Sequence, residues 1–429
     1  MKKIVLFGPG PLFKGGIANY NTSLAKAFDK FEDVETYIVS WTQQYPSLIP
    51  RDFIDRSSRM NQLEGTRVKV HYITDYNKPI SWYKTYKLIK SISPKILVFQ
   101  WAIAIQGIPL GYIARKLKKH TKIEIIFDMH FVKQKEGSFL DEKLTKFGVK
   151  PGNTYITHCW QTAEELKETF PNKKFIISEE GNRADLPKNT IIKLYHPIYD
   201  MFEPNKNLDV KAVKKDLNLK KYVFLFFGFI RKYKGLHNAI KAFAKANQKR
   251  DDISLLIVGE SFWQTLDSTK LITKMKNAIF GFTKSLFLNK KDNEKDYHPL
   301  ELIDKYHLKD SVTIINQFVP NEDVHKYFQV SDCIILYYLT ATPSGVESVS
   351  YNFHLPILAT KVGHFPDTIK HGFNGYLAEA NDIDSMAETM LHYIDNPLPA
   401  ENVKTISQHM SWSNYAKTIL NRDIYQRPS

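Results

Sequence analysis

Twice along this chain, short and almost continuously apolar runs alternate with segments of helical period, and a proline-broken stretch separates the two series. The first series runs KIVLFG, VETYIVSW, RVKVHYI, KILVFQW, IEIIFDMH, TYITHCW and KFIIS, and the second runs YVFLFFGF, ISLLIVGE, SVTIINQF, CIILYYL, PILAT and GYLAE. A strand that is apolar along its whole length has both faces covered, which marks a parallel sheet with helices on either side. At 429 residues with 43% hydrophobic side chains, the chain can fill two such cores. The expected fold class is therefore α/β, with two tandem doubly wound Rossmann-like domains facing a cleft. Residues 1–200 are expected to form the first domain, 201–408 the second, and 409–429 a terminal helix packing back toward the first. The break HPIYDMFEPNKNLD after Tyr195 reads as the interdomain linker, and the Lys-rich stretch from about 265 to 296 as an insertion.

Charge and cysteine content narrow the class. The formal charge is +15, and residues 1–200 carry 31 Lys and Arg against 20 Asp and Glu. Within them, residues 76–123 hold ten basic side chains and no acid, a patch that attracts phosphates or is simply a solvated basic face. Nucleic acid is the weakest partner for it, because no recognised module interleaves it with aromatic residues. Lys84, Lys87 and Lys90, beside Trp82, Tyr83, Tyr86 and Ile89, suit instead the surface of an anionic membrane. Cys159 and Cys333 are far apart and embedded in apolar runs, which argues for a reducing compartment and against a disulfide scaffold or a zinc site. No apolar run approaches the length of a membrane span, and Pro9 interrupts the first run too early for a signal peptide. The expected location is cytoplasmic, including attachment to the inner face of the cell membrane.

Three glycine turns follow strands. In CIILYYLTATPSGVESVSYNF, Pro343 stops the strand, Ser344 can cap and Gly345 allows close approach, so a helix opens with bare N–H groups. Val346 and Val349 recur at helical spacing on its buried side. Such a helix start is a ready anion site. In FFGFIRKYKG, Gly228 ends a strand, and Arg231 and Lys234 supply a guanidinium fork and a point charge next to another helix start, as a diphosphate requires. In GPGPLFKGGIANY, Gly15 and Gly16 precede a helix, but the glycine spacing of the dinucleotide fingerprint is absent.

Taken in order, GGIANYNTSLAKAF, FDMH, HPIYDMF, FFGFIRKYKGLHNAIKAF, LLIVGE, VTIINQFVPNEDVHKYFQVSDCIILYY, SGVESVSYNFHLPILATKVG and HGFNGYLAE make the chain resemble a GT-B-fold, nucleotide-sugar-dependent glycosyltransferase of the retaining family four, in its bacterial polysaccharide-building branch. The resemblance is densest from Phe224 to Ala387. It implies transfer of a hexose from a nucleotide-diphosphate sugar, UDP favoured over GDP, to a glycan or lipid-linked acceptor with retention. The second domain would hold the donor and the first the acceptor. Gly16 resembles the glycine that lets the first-domain loop approach the donor, and His130 the histidine near the transferred sugar. Lys234 matches the diphosphate lysine. Arg231 resembles the diphosphate arginine, although Phe229 stands where arginine is commoner. The family's paired glutamates fall on Ala341 and Val349 here, and neither can serve. Glu347 either reaches the site from the first helical turn or is an acid favoured there by the helix dipole.

Asp382-Ile383-Asp384 matches the metal signature of the other major glycosyltransferase fold, but it opens a helix, where Asp caps. No metal and no cofactor are therefore expected beyond the nucleotide-sugar substrate. Two rivals share the fold: a nucleotide-sugar epimerase, whose cleft carboxylates cannot be placed, and a non-catalytic nucleotide-sugar-binding protein, which the missing glutamates make worth holding.

Overall fold

The computed structural model describes residues 1–45, 54–56, 61–133, 139–185, 188–261, 297–343 and 345–421. The Lys-rich segment from 265 to 296 lies outside the described residues. The described strands form two sheets with every pairing parallel. The first sheet takes β1 (Lys2–Phe7), β2 (Val34–Gln43), β3 (Lys69–Asp75), β4 (Ile96–Trp101), β5 (Glu124–Met129), β6 (Thr154–Thr157), β7 (Phe175–Ser178) and β8 (Asn189–Lys193), in the order β3-β2-β1-β4-β5-β6-β8-β7. The second takes β9 (Tyr222–Phe227), β10 (Ile253–Val258), β11 (Val312–Ile315), β12 (Cys333–Leu336), β13 (Ile357–Thr360) and β14 (Gly375–Ala378), in the order β11-β10-β9-β12-β13-β14. This is the doubly wound α/β architecture that the two apolar series call for.

Burial explains the patterns. β4 and β10 are buried at every residue, as central strands between helical layers must be, whereas β3 is half-exposed at the sheet edge, and its run alternates. β8 went unread in the sequence because NTIIK is short and follows a polar loop. It pairs with both β6 and β7 and so displaces β7 to the edge.

The stretch after Tyr195 is more than a tether. Tyr199, Met201 and Phe202 are buried, and the Ile198 N–H donates to the Met410 carbonyl at 2.9 Å. The two places where the main chain passes between domains therefore run side by side. Beyond the second, Ser411 caps the helix Trp412–Leu420, its side chain accepting from the Asn414 N–H. That helix lies on the first domain, with Trp412, Tyr415, Ala416 and Ile419 buried. The Tyr415 hydroxyl donates to Asp128 Oδ2 at 3.2 Å, and Arg183 Nη2 donates to the Ile419 carbonyl at 2.8 Å.

Asp128 is fully buried at the end of β5, and its carboxylate gathers neighbours from three elements. Tyr20 donates to Oδ2 at 3.0 Å, and His158 Nε2 stands 3.2 Å from Oδ1. Burial works to raise the Asp128 pKa, but His158, His130 and the Tyr20 hydroxyl outweigh it and hold the carboxyl below the usual range. Tyr415→Phe removes one donor to this buried charge while keeping the ring. The expected cost is about 1.5–3 kcal/mol in denaturant titration. An unshifted midpoint would show that this hydroxyl does not hold the terminal helix.

Candidate active site

Strand order reverses at β1, between β2 and β4, and again at β8, between β6 and β7, in the first sheet, and at β9, between β10 and β12, in the second. Loops part there, and ligands of doubly wound sheets collect in the crevice left beyond the carboxyl ends. The second-domain crevice opens into a cavity of about 330 Å³, within the range for small-molecule sites. Gly15, Gly16 and Asn19 border it from the first domain, and Tyr199 and Phe202 from the linker. Gly228, Lys234, Gly345, Val346 and Val349 line it from the second.

Two glycines are required by space. Gly228 has φ +93°, and a Cβ there would stand 2.8 Å from Lys234 Nζ. A Cβ at Gly345 would stand 2.8 Å from Cε2 of the Tyr199 ring. Tyr199 also donates its hydroxyl to the Gly16 carbonyl at 2.8 Å, so one side chain spans the gap between the two glycine turns. The helices Gly16–Asp29 and Gly345–Asn352 both begin at the cavity wall. Ser344 lies outside the described residues.

Lys234 ends the 3-10 turn Lys232–Lys234 after β9 and is only 7% exposed. Burial first, and the neighbouring Arg231 second, push its pKa down to about 7. Among the described residues no carboxylate forms an ion pair with it. A lysine buried at a cavity wall with only a second cation for company is poised to meet an anion. Arg231 does not line the cavity; its guanidinium carbon lies 5.6 Å from the ring of Tyr233, which does.

His130 also stands apart from the lining, just beyond β5. Its Nε2 is 2.8 Å from Gln100 Oε1, and its ring meets Tyr20 edge-on at 4.7 Å. Burial and the nearby His158 push its pKa down to about 4, so the imidazole is neutral at ordinary pH.

Glu347 is a correction. Its carboxylate turns away from the cavity: Thr368 Oγ1 and the Tyr351 hydroxyl donate to Oε1 at 2.5 and 3.1 Å, and His364 Nε2 lies 2.5 Å from Oε2. The helix is covered on this side by the 363–368 segment, so a first-turn acid there is enclosed rather than solvated. It fastens the helix from behind the cavity and is not among the described lining residues.

The Asp-x-Asp residues have ordinary helix-start partners. Asp382 accepts from the N–H groups of Asp384 and Ser385, and Asp384 pairs with Lys245. Among the described residues no group of three His, Cys, Asp or Glu side chains could hold a metal ion.

Residues 209–418 match the family model for glycosyl transferases group 1. The protein is a glycosyltransferase of the GT-B fold. HepE from Anabaena in complex with UDP-glucose superposes with a TM-score of 0.66 at 14% identity, covering 98% of each chain. Sucrose-phosphate synthase from Thermosynechococcus elongatus gives 0.62 at 14%, covering 97% of this chain and 96% of that one. The lipopolysaccharide outer core galactosyltransferase WaaB gives 0.58 at 14%, covering 97% and 99%. No curated protein matches the sequence closely enough to count as a relative.

The glycosyltransferase cavity has walls that sequence reasoning missed. Gln317, Phe318 and Val319 follow β11, Glu260 follows β10, and Tyr199 comes from the linker. Glu260 is the one carboxylate among the described lining residues. Position directly beyond a strand end was the available signal for Glu260 and the 317–319 segment; Tyr199 had none. Trace acetylation followed by mass spectrometry reads the Lys234 environment directly. Its reactivity in the ligand-free protein is expected to rise through about pH 7, well before that of exposed lysines. A rise delayed to the exposed-lysine range would contradict its burial at the cavity wall.

Proposed function

We propose that this glycosyltransferase moves a hexose from a UDP-sugar to a glycan or lipid-linked acceptor of a bacterial surface polysaccharide, with retention and without a metal ion. The observation that carries the reading is Lys234, a buried cation at a cavity wall facing the starts of two helices. A diphosphate seated there would meet the ammonium and the unpaired N–H groups of both helix starts. The anion favours the charged form of Lys234, so binding at neutral pH draws a proton onto it. As the sugar departs, negative charge grows on the diphosphate, and these groups, already in place, stabilise it.

The donor's ribose would rest on Val346 and Val349, with the base toward the 317–319 segment. HepE, a neighbour of the same fold, holds UDP-glucose, which supports UDP as the nucleotide. Arg231 would add its charge from beside Tyr233, with the helix start at Gly345 against the phosphates. His130, neutral and fixed against Gln100, would hydrogen-bond the transferred sugar once the domains close. Retention is supported by the resemblance. Ala341 stands at the family's first glutamate position, so that position supplies no nucleophile for a covalent glycosyl intermediate.

Lys234→Ala should lower sugar transfer roughly 100–1,000-fold, the scale of losing one transition-state donor, with EDTA leaving wild-type turnover unchanged. Near-normal turnover of the variant, or EDTA inactivation reversed by Mn²⁺, would contradict the assignment.

A lipid-linked acceptor would require approach to a membrane. No helix among the described residues is long and apolar enough to cross one. Lys84, Lys87 and Lys90 are exposed along the helix Pro79–Ile92, and so are Ile80 and Tyr83, while Tyr86 and Ile89 turn into the core. Ile108 and Phe147 extend the exposed apolar surface onto two further helices, Gly107–His120 and Phe139–Val149. Each basic residue near an anionic surface contributes about 1 kcal/mol. The protein should therefore co-sediment with phosphatidylglycerol vesicles at low salt, less so at high salt, and not when the three lysines become Glu. Equal partition onto neutral vesicles would reject this face.

A further inference from the structure

The first-domain sheet carries a second group of exposed side chains beyond its carboxyl edge, and the donor cavity does not use them. Trp160 follows β6 by three residues and is 44% exposed; Tyr195 follows the adjacent β8 by two and is 38% exposed. β6 and β8 are paired, with Thr157 opposite Lys193, so the two rings rise from neighbouring strand ends. Between them stands Lys193, only 4% exposed, with Nζ 3.8 Å from the Tyr195 ring centroid and 5.4 Å from that of Trp160. Its nearest carboxylate, Glu179, is 4.0 Å away. A cation over two ring faces attracts both and fixes their spacing, which removes the ordering cost a loose aromatic pair would meet on binding.

The location gives this pair its meaning. His130 follows β5, which pairs with β6, so His130, Trp160 and Tyr195 follow three successive strands along one edge. The opposite wall is near as well, since His196, the residue after Tyr195, has its Nδ1 2.7 Å from Ser348 Oγ of the second domain. The rings therefore stand along the first-domain edge of the interdomain gap, on the side where such sheets take ligands. Two aromatic rings left partly in water side by side at such an edge make an apolar surface that a ligand can cover. A pyranose offers one face of C–H bonds, apolar and slightly positive, and aromatic faces are negative.

We propose that Trp160 and Tyr195 form the platform on which a sugar ring of the acceptor glycan stacks, with Lys193 holding the two aromatic rings in place. This rests on the transfer reading above and extends it: the acceptor is an oligosaccharide with at least one ring beyond the reacting one, reaching from His130 across two strand spacings of roughly 5 Å each.

The test is a printed array of defined bacterial surface oligosaccharides, probed with the full-length protein in the presence of UDP, alongside calorimetric titration of UDP itself. Binding to at least one oligosaccharide is expected. Trp160→Ala and Tyr195→Ala should each weaken it tenfold or more and leave the UDP affinity unchanged, while Trp160→Phe and Tyr195→Phe keep most of it. Glycan binding unaltered by both alanine variants overturns the platform, as does the absence of glycan binding by a wild-type protein that still binds UDP. Failure of the wild-type protein to bind UDP would instead overturn the transfer reading. Both rings are exposed, so the alanine variants should melt with the wild type, which a thermal scan verifies.

Discussion

The arrangement of the cavity depends on the contact of Tyr199 with two glycine turns. Its hydroxyl holds the Gly16 carbonyl of the first domain, and its ring occupies the space that a Cβ on Gly345 of the second would need. The linker reinforces this hold, with His196 Nδ1 lying 2.7 Å from Ser348 Oγ and the Asn352 amide donating to the Phe202 carbonyl at 2.7 Å. Both helix starts that face the cavity are thereby tied to one short stretch of chain. Any side chain larger than hydrogen at position 345 would push against that stretch before it touched a ligand.

Three buried ionisable groups divide between architecture and chemistry. Asp128 and Glu347 are each surrounded by donors, so their charges are satisfied internally and fix the positions of the terminal helix and of the Gly345 helix. Lys234 has no such surroundings, and burial depresses its pKa instead. Satisfied charges rigidify, whereas a buried charge without such partners marks a candidate for binding.

Much of this was legible in the sequence. Apolar runs buried on both faces announce parallel strands whatever lies between them, and Lys234 stands out because a charge in the short turn between a central strand and its helix has no evident structural purpose. Glu347 shows the limit of reading a helix by period alone. Its place in the first helical turn implied solvent or ligand, but the helix is covered on both sides, and only the tertiary fold supplies His364 and Thr368, from 17 and 21 residues further on. Tyr199 was hidden for a similar reason: in a proline-rich break nothing local distinguishes a ring that spans two domains from one that lies on a surface. The pairing of Trp160 with Tyr195 likewise exists only through the register of β6 against β8.

The side-by-side passage of the chain between domains has a mechanical consequence. Because the chain begins in the first domain and its last described helix is fastened there, the second domain is carried on two straps rather than one. The hydrogen bond from Ile198 to Met410 joins the straps to each other. Bending both together preserves that bond, whereas twisting one domain against the other would shear it. The pair thus forms a leaf hinge rather than a ball joint, so the facing surfaces of the two domains can open and shut while their lateral register is kept.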